Sequence, residues 1–244
     1  MAAEKAQDIY WLNIWTFYGQ FCPYMDRMCQ IMDIRYLHRD NPDYPVSLHT
    51  ILGEKAPIRI AVRGNPEILK NRMLALFCSV KCPGLLILKT YDLVQELRHI
   101  DLTVIGGFHS PMERKCLAIL LRGAQPIIVC LARSIERMRL PSEYKKPLTD
   151  GRMLLISPFI EKPRRPSTKT TLYRNRLVAA LADQVFVAYA EPSGKTESLC
   201  SEVVSWRKPL YTLESEHNAN TIDLGAKPVT PDSISKVIGN HATT

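Results

Sequence analysis

The sequence predicts an α/β protein with a doubly wound, mostly parallel sheet and helices on both faces, and three observations point there. From residue 57 onward, short apolar runs alternate with segments whose apolar residues recur at helical spacing. Runs such as PIIVC at 126–130 and QVFVAYA at 184–190 are apolar throughout, as strands covered on both faces are. The strand–helix alternation implies right-handed βαβ crossovers, hence a Rossmann-like order of elements.

Strands are expected over 58–62, 73–78, 102–105, 126–131, 153–156, 184–190 and 209–213. Helices are expected over 85–98 (Ile87, Tyr91, Val94 on one face) and 111–122 (Met112, Cys116, Ile119, Leu120). Two more cover 172–182 (Tyr173, Leu177, Ala180, Leu181) and 195–206 (Leu199, Val203, Trp206). The stretch 139–152, with two prolines and mixed charge, reads as loop or a short helix, and the proline-bearing stretch 157–170 as a long connection. Residues 1–43 read as a helical extension, 44–230 as one domain and 231–244 as a loosely held tail.

Composition narrows the class. A chain of 244 residues, 46% hydrophobic and 23% charged, is an ordinary globular sequence. Its seven cysteines are odd in number, lack any C-x-x-C spacing and sit partly in apolar runs, which argues against a disulfide framework or a zinc site and for a reducing compartment. No signal-peptide pattern and no run near 18 apolar residues is present, so a cytoplasmic protein without a membrane partner is expected. The net charge of +8 is localised: residues 133–176 hold twelve Lys and Arg against four Asp and Glu, and the rest balances. A phosphate-binding surface has this charge pattern, and so does a solvated basic face.

In doubly wound sheets, ligands bind at the carboxyl ends of strands over helix N-termini. Three junctions stand out. Gly106-Gly107-Phe108-His109-Ser110-Pro111 places two glycines at a strand end, then a serine suited to the N-cap and a proline suited to the first helical turn. Glycines there permit close approach to the backbone, and a capped turn without ligand uses the same residues. Ser193-Gly194-Lys195-Thr196 opens a helix with groups suited to an anion, but Tyr189 stands where a phosphate-loop motif needs its first glycine, so ATP hydrolysis is not expected. Arg174-Asn175-Arg176 places two guanidiniums at an expected helix start, where an anion would offset the macrodipole and a surface salt bridge is the alternative.

In this order the junctions resemble the DprA/Smf family of DNA-processing proteins over residues 44–230. The resemblance begins at Tyr44-Pro45 and runs through Arg63-Gly64-Asn65-Pro66, LALFCSVKCPG (74–84) and TVIGGFHSPMER (103–114). YRNRLVAALAD (173–183) is its most specific piece, followed by PSGKTE (192–197) and NTIDLGA (220–226). Cys78-Ser79-Val80, with Lys81 next, stands where the family has Gly-Ser-Arg, and His109-Ser110-Pro111 replaces its Gly-Ile-Asp. The few residues after 230 leave no room for the winged-helix domain of many members, so a short, divergent member is expected.

The resemblance implies a homodimer that binds single-stranded DNA and hands it to a recombinase. Candidate ligand-binding residues are Ser79, Lys81, Gly106, Gly107, His109, Ser110, Arg133, Arg174, Asn175, Arg176, Ser193, Gly194, Lys195 and Thr196, with the basic stretch 162–169 beside them. Phe108, Phe159 and Tyr173 are candidates for base stacking. No cofactor, metal or catalytic residue is expected. The alternatives are a nucleotide-sensing module, in defence against foreign DNA for example, and a nucleotide phosphoribohydrolase using Glu113 or Glu197 as acid/base. For the latter, PSGKTE lacks the required glycine pattern.

Overall fold

The computed structural model describes residues 33–136 and 138–239. Nine strands form one sheet: β1 (Ile34–His38), β2 (Arg59–Gly64), β3 (Met73–Phe77), β4 (Thr103–Gly106), β5 (Ile127–Cys130), β6 (Met153–Ser157), β7 (Gln184–Val187), β8 (Leu210–Leu213) and β9 (Lys227–Val229). Their order is β1-β2-β6-β5-β4-β3-β7-β8-β9. The β3–β9 strands are mutually parallel, whereas β2 runs antiparallel to both β1 and β6. The helices are α1 (Val46–Leu52), α2 (Gly84–Leu97), α3 (Pro111–Leu120), α4 (Ser142–Thr149), α5 (Thr168–Leu181), α6 (Lys195–Ser205), α7 (Ala219–Asp223) and α8 (Ile234–Gly239).

From β3 the chain steps outward to β6, then returns through α5 to β7 on the other side of β3. Right-handed crossovers therefore put the helices of the two halves on opposite faces. Strand alternation divides the core accordingly. Met73, Ala75 and Phe77 of β3 pack with Leu177 and Val178 of α5 and Leu199 and Val203 of α6. Leu74 and Leu76 point the other way, against Leu86 and Leu93 of α2 and Cys116 and Leu120 of α3. Both faces of the strand are thus apolar, and this is the origin of the unbroken runs in the sequence. The reversal in strand order at β3 and β7 leaves a crevice at their carboxyl ends.

All seven expected strands form. Two further strands lie at the sheet edges. β1 falls in the stretch expected to be helical, and residues 1–32 of that stretch lie outside the described residues, as do 240–244 of the expected tail. The sheet and its packing reach past 44–230 on both sides, since β1 pairs with β2 and Ile234 and Ile238 of α8 are fully buried. β9 carries Pro228, which cannot donate to a ladder and fits the sheet edge. α5 begins at Thr168 instead of residue 172, because Ser167 accepts from Thr170 N and Thr170 reaches back to the Ser167 backbone in a capping box. Among the described residues, no helix is long and apolar enough to cross a membrane.

Candidate functional site

A cavity of about 660 Å³ opens where β3, β4 and β7 end. Four segments build its walls: Cys78–Val80 after β3, His109–Glu113 after β4, the start of α5 (Pro166–Asn175) and the turn into α6 (Glu191–Thr196).

Arg174 is the charged group at its floor. The side chain is 3% exposed and lines the cavity two turns into α5. Nη1 donates to the carbonyl of Cys130 at the end of β5, 2.8 Å away, and Nε donates to Oδ1 of Asn175 at 2.7 Å. Nη2 makes no hydrogen bond among the described residues and is left for whatever enters. Burial pulls the guanidinium pKa down, and the nearby Cys130 and Glu113 oppose that. An arginine stays protonated regardless, so the cavity holds a fixed, partly unpaired positive charge.

The glycine pair makes room for this arrangement. A Cβ on Gly107 would lie 1.8 Å from Nη1 of Arg174, and one on Gly106 would lie 3.0 Å from the ring of Phe108. The space over Gly107, read from the sequence as room for a ligand, is filled by the Arg174 guanidinium. Phe108 takes the left-handed conformation (φ 46°) and is buried, so it offers no face for stacking.

Glu113 fixes the turn. Its Oε1 accepts from Cys78 N at 3.2 Å, and its Oε2 accepts from His109 N at 2.9 Å and Ser110 N at 3.2 Å. Ser110 Oγ accepts in return from Glu113 N at 3.1 Å, completing a capping box at the start of α3. Cys78 is held protonated by its hydrogen bond to Cys82 and by burial, which suits a packed thiol and not a nucleophile.

On the opposite wall, Ser79 Oγ donates to Thr196 Oγ1 at 3.0 Å and accepts from Glu191 N at 2.9 Å, tying β3 to the turn before α6. Ser193 adopts φ 57°, and its N–H donates to Glu197 Oε2 at 2.7 Å. Gly194, the N-cap of α6, supplies no side chain to the first turn. A Cβ there would meet the Glu191 carbonyl at 2.6 Å. Lys195 is exposed at the cavity wall and has no ion pair among the described residues. An uncapped helix start beside an unpaired ammonium suits an anion.

Nine of the sequence candidates therefore meet in one cavity: Ser79, His109, Ser110, Arg174, Asn175, Ser193, Gly194, Lys195 and Thr196. Five lie outside its lining. Gly106 and Gly107 support it from behind, Lys81 follows the lining residue Val80 in the chain, and Arg133 lies after β5, its carbonyl accepting from Ser157 Oγ. Arg176 points to α6, where its Nε donates to Glu202 Oε2 at 2.6 Å. Because α5 starts at Thr168, neither arginine opens the helix, so the macrodipole argument does not apply to them. The sequence reading missed Ser167, Thr168, Thr171 and Leu172 of the α5 start, although Ser167-x-x-Thr170 has the spacing of an N-cap pair.

The sequence matches the DNA recombination-mediator protein A family over residues 35–237. No curated protein matches the chain significantly. Among solved structures, DNA processing protein A from Streptococcus pneumoniae superposes with a TM-score of 0.70 at 19% identity, covering 88% of this chain and 77% of that one. DNA processing protein A from Helicobacter pylori, solved for its single-stranded DNA binding mode, gives 0.69 at 18% identity, covering 87% and 98%. A molybdenum cofactor binding protein from Rippkaea orientalis shares the fold more distantly, with a TM-score of 0.50 at 11% identity over 71% and 98%. The Rossmann-like sheet, the order of its junctions and a match spanning most of the described residues lead to one conclusion: the chain belongs to the DNA recombination-mediator protein A family.

Proposed function

We propose that this chain binds single-stranded DNA at the carboxyl edge of its sheet, in DNA processing and recombination or in defence against foreign DNA. One observation carries the reading: the buried Arg174 presents an unbonded Nη2 to a cavity whose opposite wall is the uncapped start of α6 with Lys195. A guanidinium fixed by two hydrogen bonds is preorganised for a phosphate oxygen. The rim continues this character, because Lys162, Arg164 and Arg165 on the loop entering α5 and Lys169 in the first turn of α5 are exposed and form no ion pair among the described residues. The single-stranded DNA bound by the Helicobacter pylori protein supports the same ligand here. A fluorescent 20-nucleotide oligomer titrated at several salt concentrations tests it. Affinity should fall steeply with salt, by roughly 0.7 log units per log unit for each phosphate neutralised. Absence of binding at low salt sinks the reading.

A second reading keeps a specific observation in its favour. A cavity of about 660 Å³ lies within the range of pockets that enclose small ligands, so a mononucleotide sensor fits it as well. Mass spectrometry of small molecules released from the purified protein separates the two. An enzymatic role draws no support from the carboxylates weighed for it. Glu113 is occupied by three backbone N–H groups, and Glu197 accepts from Ser193 N and from Asn220 Nδ2. Homodimerisation and delivery of the strand to a recombinase are the further roles that the family resemblance implies. Light scattering at micromolar concentration checks the first, with the mass of one chain as the contrary result.

A further inference from the structure

The cavity accounts for a phosphate or a single nucleotide, but the charge and the apolar groups beside it extend further along the sheet edge. The loop that leaves β6 starts at the same edge, three strands from β3, and ends at Pro166–Thr168 in the cavity wall. Neighbouring strands lie about 4.8 Å apart, so the loop spans on the order of 14 Å. Lys162, Arg164 and Arg165 are exposed along it. At its far end stands Phe159, half-buried, its ring centroid 5.9 Å from that of Tyr173 at an interplanar angle of 59°. Neither ring is loosely held. Phe159 is anchored through its backbone, whose N–H donates to Ser157 Oγ at 3.0 Å and whose carbonyl accepts from the same hydroxyl at 3.1 Å. Tyr173 donates its hydroxyl to the carbonyl of Lys55 at 3.0 Å. Leu172, 37% exposed and part of the cavity lining, joins Tyr173 to the cavity. An anchored aromatic residue beside unpaired cations, continuous with a nucleotide-sized cavity, is how single strands are held irrespective of sequence.

We propose that Phe159 is a base-stacking platform, and that the occupant of this edge is a strand several nucleotides long, with one phosphate at Arg174 and a neighbouring base on the Phe159 ring. This rests on the single-strand reading above. Tyr173, tied down by its hydroxyl and packed behind, holds Phe159 in place and leaves the stacking to it. The cations of the loop then lie along the intervening phosphates.

Oligothymidylate of 12 nucleotides carrying one abasic site at successive positions tests the idea on the unaltered protein. Removing a base that stacks should weaken binding roughly five- to hundredfold, at one position or two adjacent ones. Phe159→Leu keeps apolar bulk but no aromatic face, and should weaken the intact strand to a similar extent while leaving the salt slope unchanged. Phe159→Trp should restore affinity. A 2-aminopurine placed at the sensitive position should be quenched by the parent and by Phe159→Trp, and not by Phe159→Leu. A flat abasic profile overturns the proposal whatever the variants do, as does a Phe159→Leu protein that binds and quenches like the parent. Failure of the parent to bind the intact strand at low salt removes the single-strand reading itself, so the two failures are distinct.

Discussion

A Cβ on Gly107 would occupy the volume now held by the guanidinium of Arg174, 1.8 Å from Nη1. Gly107→Ala therefore leaves the backbone intact and moves the cation, breaking its bond to the Cys130 carbonyl. The expected result is a folded protein about 1.5–3 kcal/mol less stable, the value of a hydrogen bond to a charged group, with strand binding weakened at least tenfold. Parallel denaturation and titration check it, and parent-like binding would show that Arg174 does not face the ligand. Arg176 makes the contrast. Its half-exposed bridge to Glu202 is worth at most about 1 kcal/mol, so Arg176→Ala should alter neither stability much nor the salt slope. Lys208 carries a pH signature. Its Nζ donates to the carbonyls of Ala179, Ala180 and Ala182 at the end of α5, and burial pulls its pKa down to about 8. The folded value lies below the ordinary one, so the unfolded chain binds more protons between the two. Stability relative to Lys208→Met should therefore rise from pH 8 to about 10.5, and thermal melts across that range would show it. A flat difference would mean that the ammonium is not desolvated.

At the level of elements, the site depends on how strand ends are joined to helix starts. Glu113 belongs to α3 yet accepts from the backbone of Cys78 after β3, so one carboxylate holds two adjacent strand ends in register. Glu113→Gln replaces one accepting oxygen by a donor facing an N–H group. A loss of about 1–3 kcal/mol is expected, read as a lower denaturation midpoint, and an unchanged midpoint would remove Glu113 from the structural role. The N-cap at Ser110-Pro111 was legible, but its capping-box partner Glu113 was weighed as an acid/base, although Ser110-x-x-Glu113 has the spacing of such a box. The seven parallel or antiparallel strands with apolar runs were legible too, since burial on both faces leaves a direct mark on composition. The edge strands were not. In β1 only Leu37 is buried, and β9 has three residues, so neither carries a hydrophobic period. The start of α5 was hidden by the prolines and charges before it, and the roles of Arg174 and Arg176 were exchangeable in sequence. They are two positions apart, which on a helix turns one inward to the cavity and the other toward α6.

On the scale of the molecule, the basic stretch 133–176 divides into cations with protein partners and cations without them. Arg152 donates Nη2 to the Leu121 carbonyl, Lys146 pairs with Asp150, and Arg176 pairs with Glu202. Arg98, outside the stretch, likewise serves the Arg122 carbonyl near the end of α3. Arg152 and Arg98 thus answer carbonyls at the end of α3 and Lys146 and Arg176 answer carboxylates, while Lys162, Arg164 and Arg165, on the loop into α5, have no ion-pair partner among the described residues. Beyond the cavity itself, phosphate binding should draw on the second group and not on the first. Replacing Lys162, Arg164 and Arg165 together by alanine removes three exposed cations that support no packing, so the melting temperature should stay within about a degree or two of the parent. If all three neutralise phosphates, the plot of log affinity against log salt should flatten by about two units, three times 0.7. Affinity at low salt should fall with it. Replacing the paired Lys146 in the same way should leave the slope unchanged. A triple variant with the parent's slope would place the strand away from this loop, and equal flattening by the triple variant and Lys146→Ala would mean that net charge, and not this edge, governs binding.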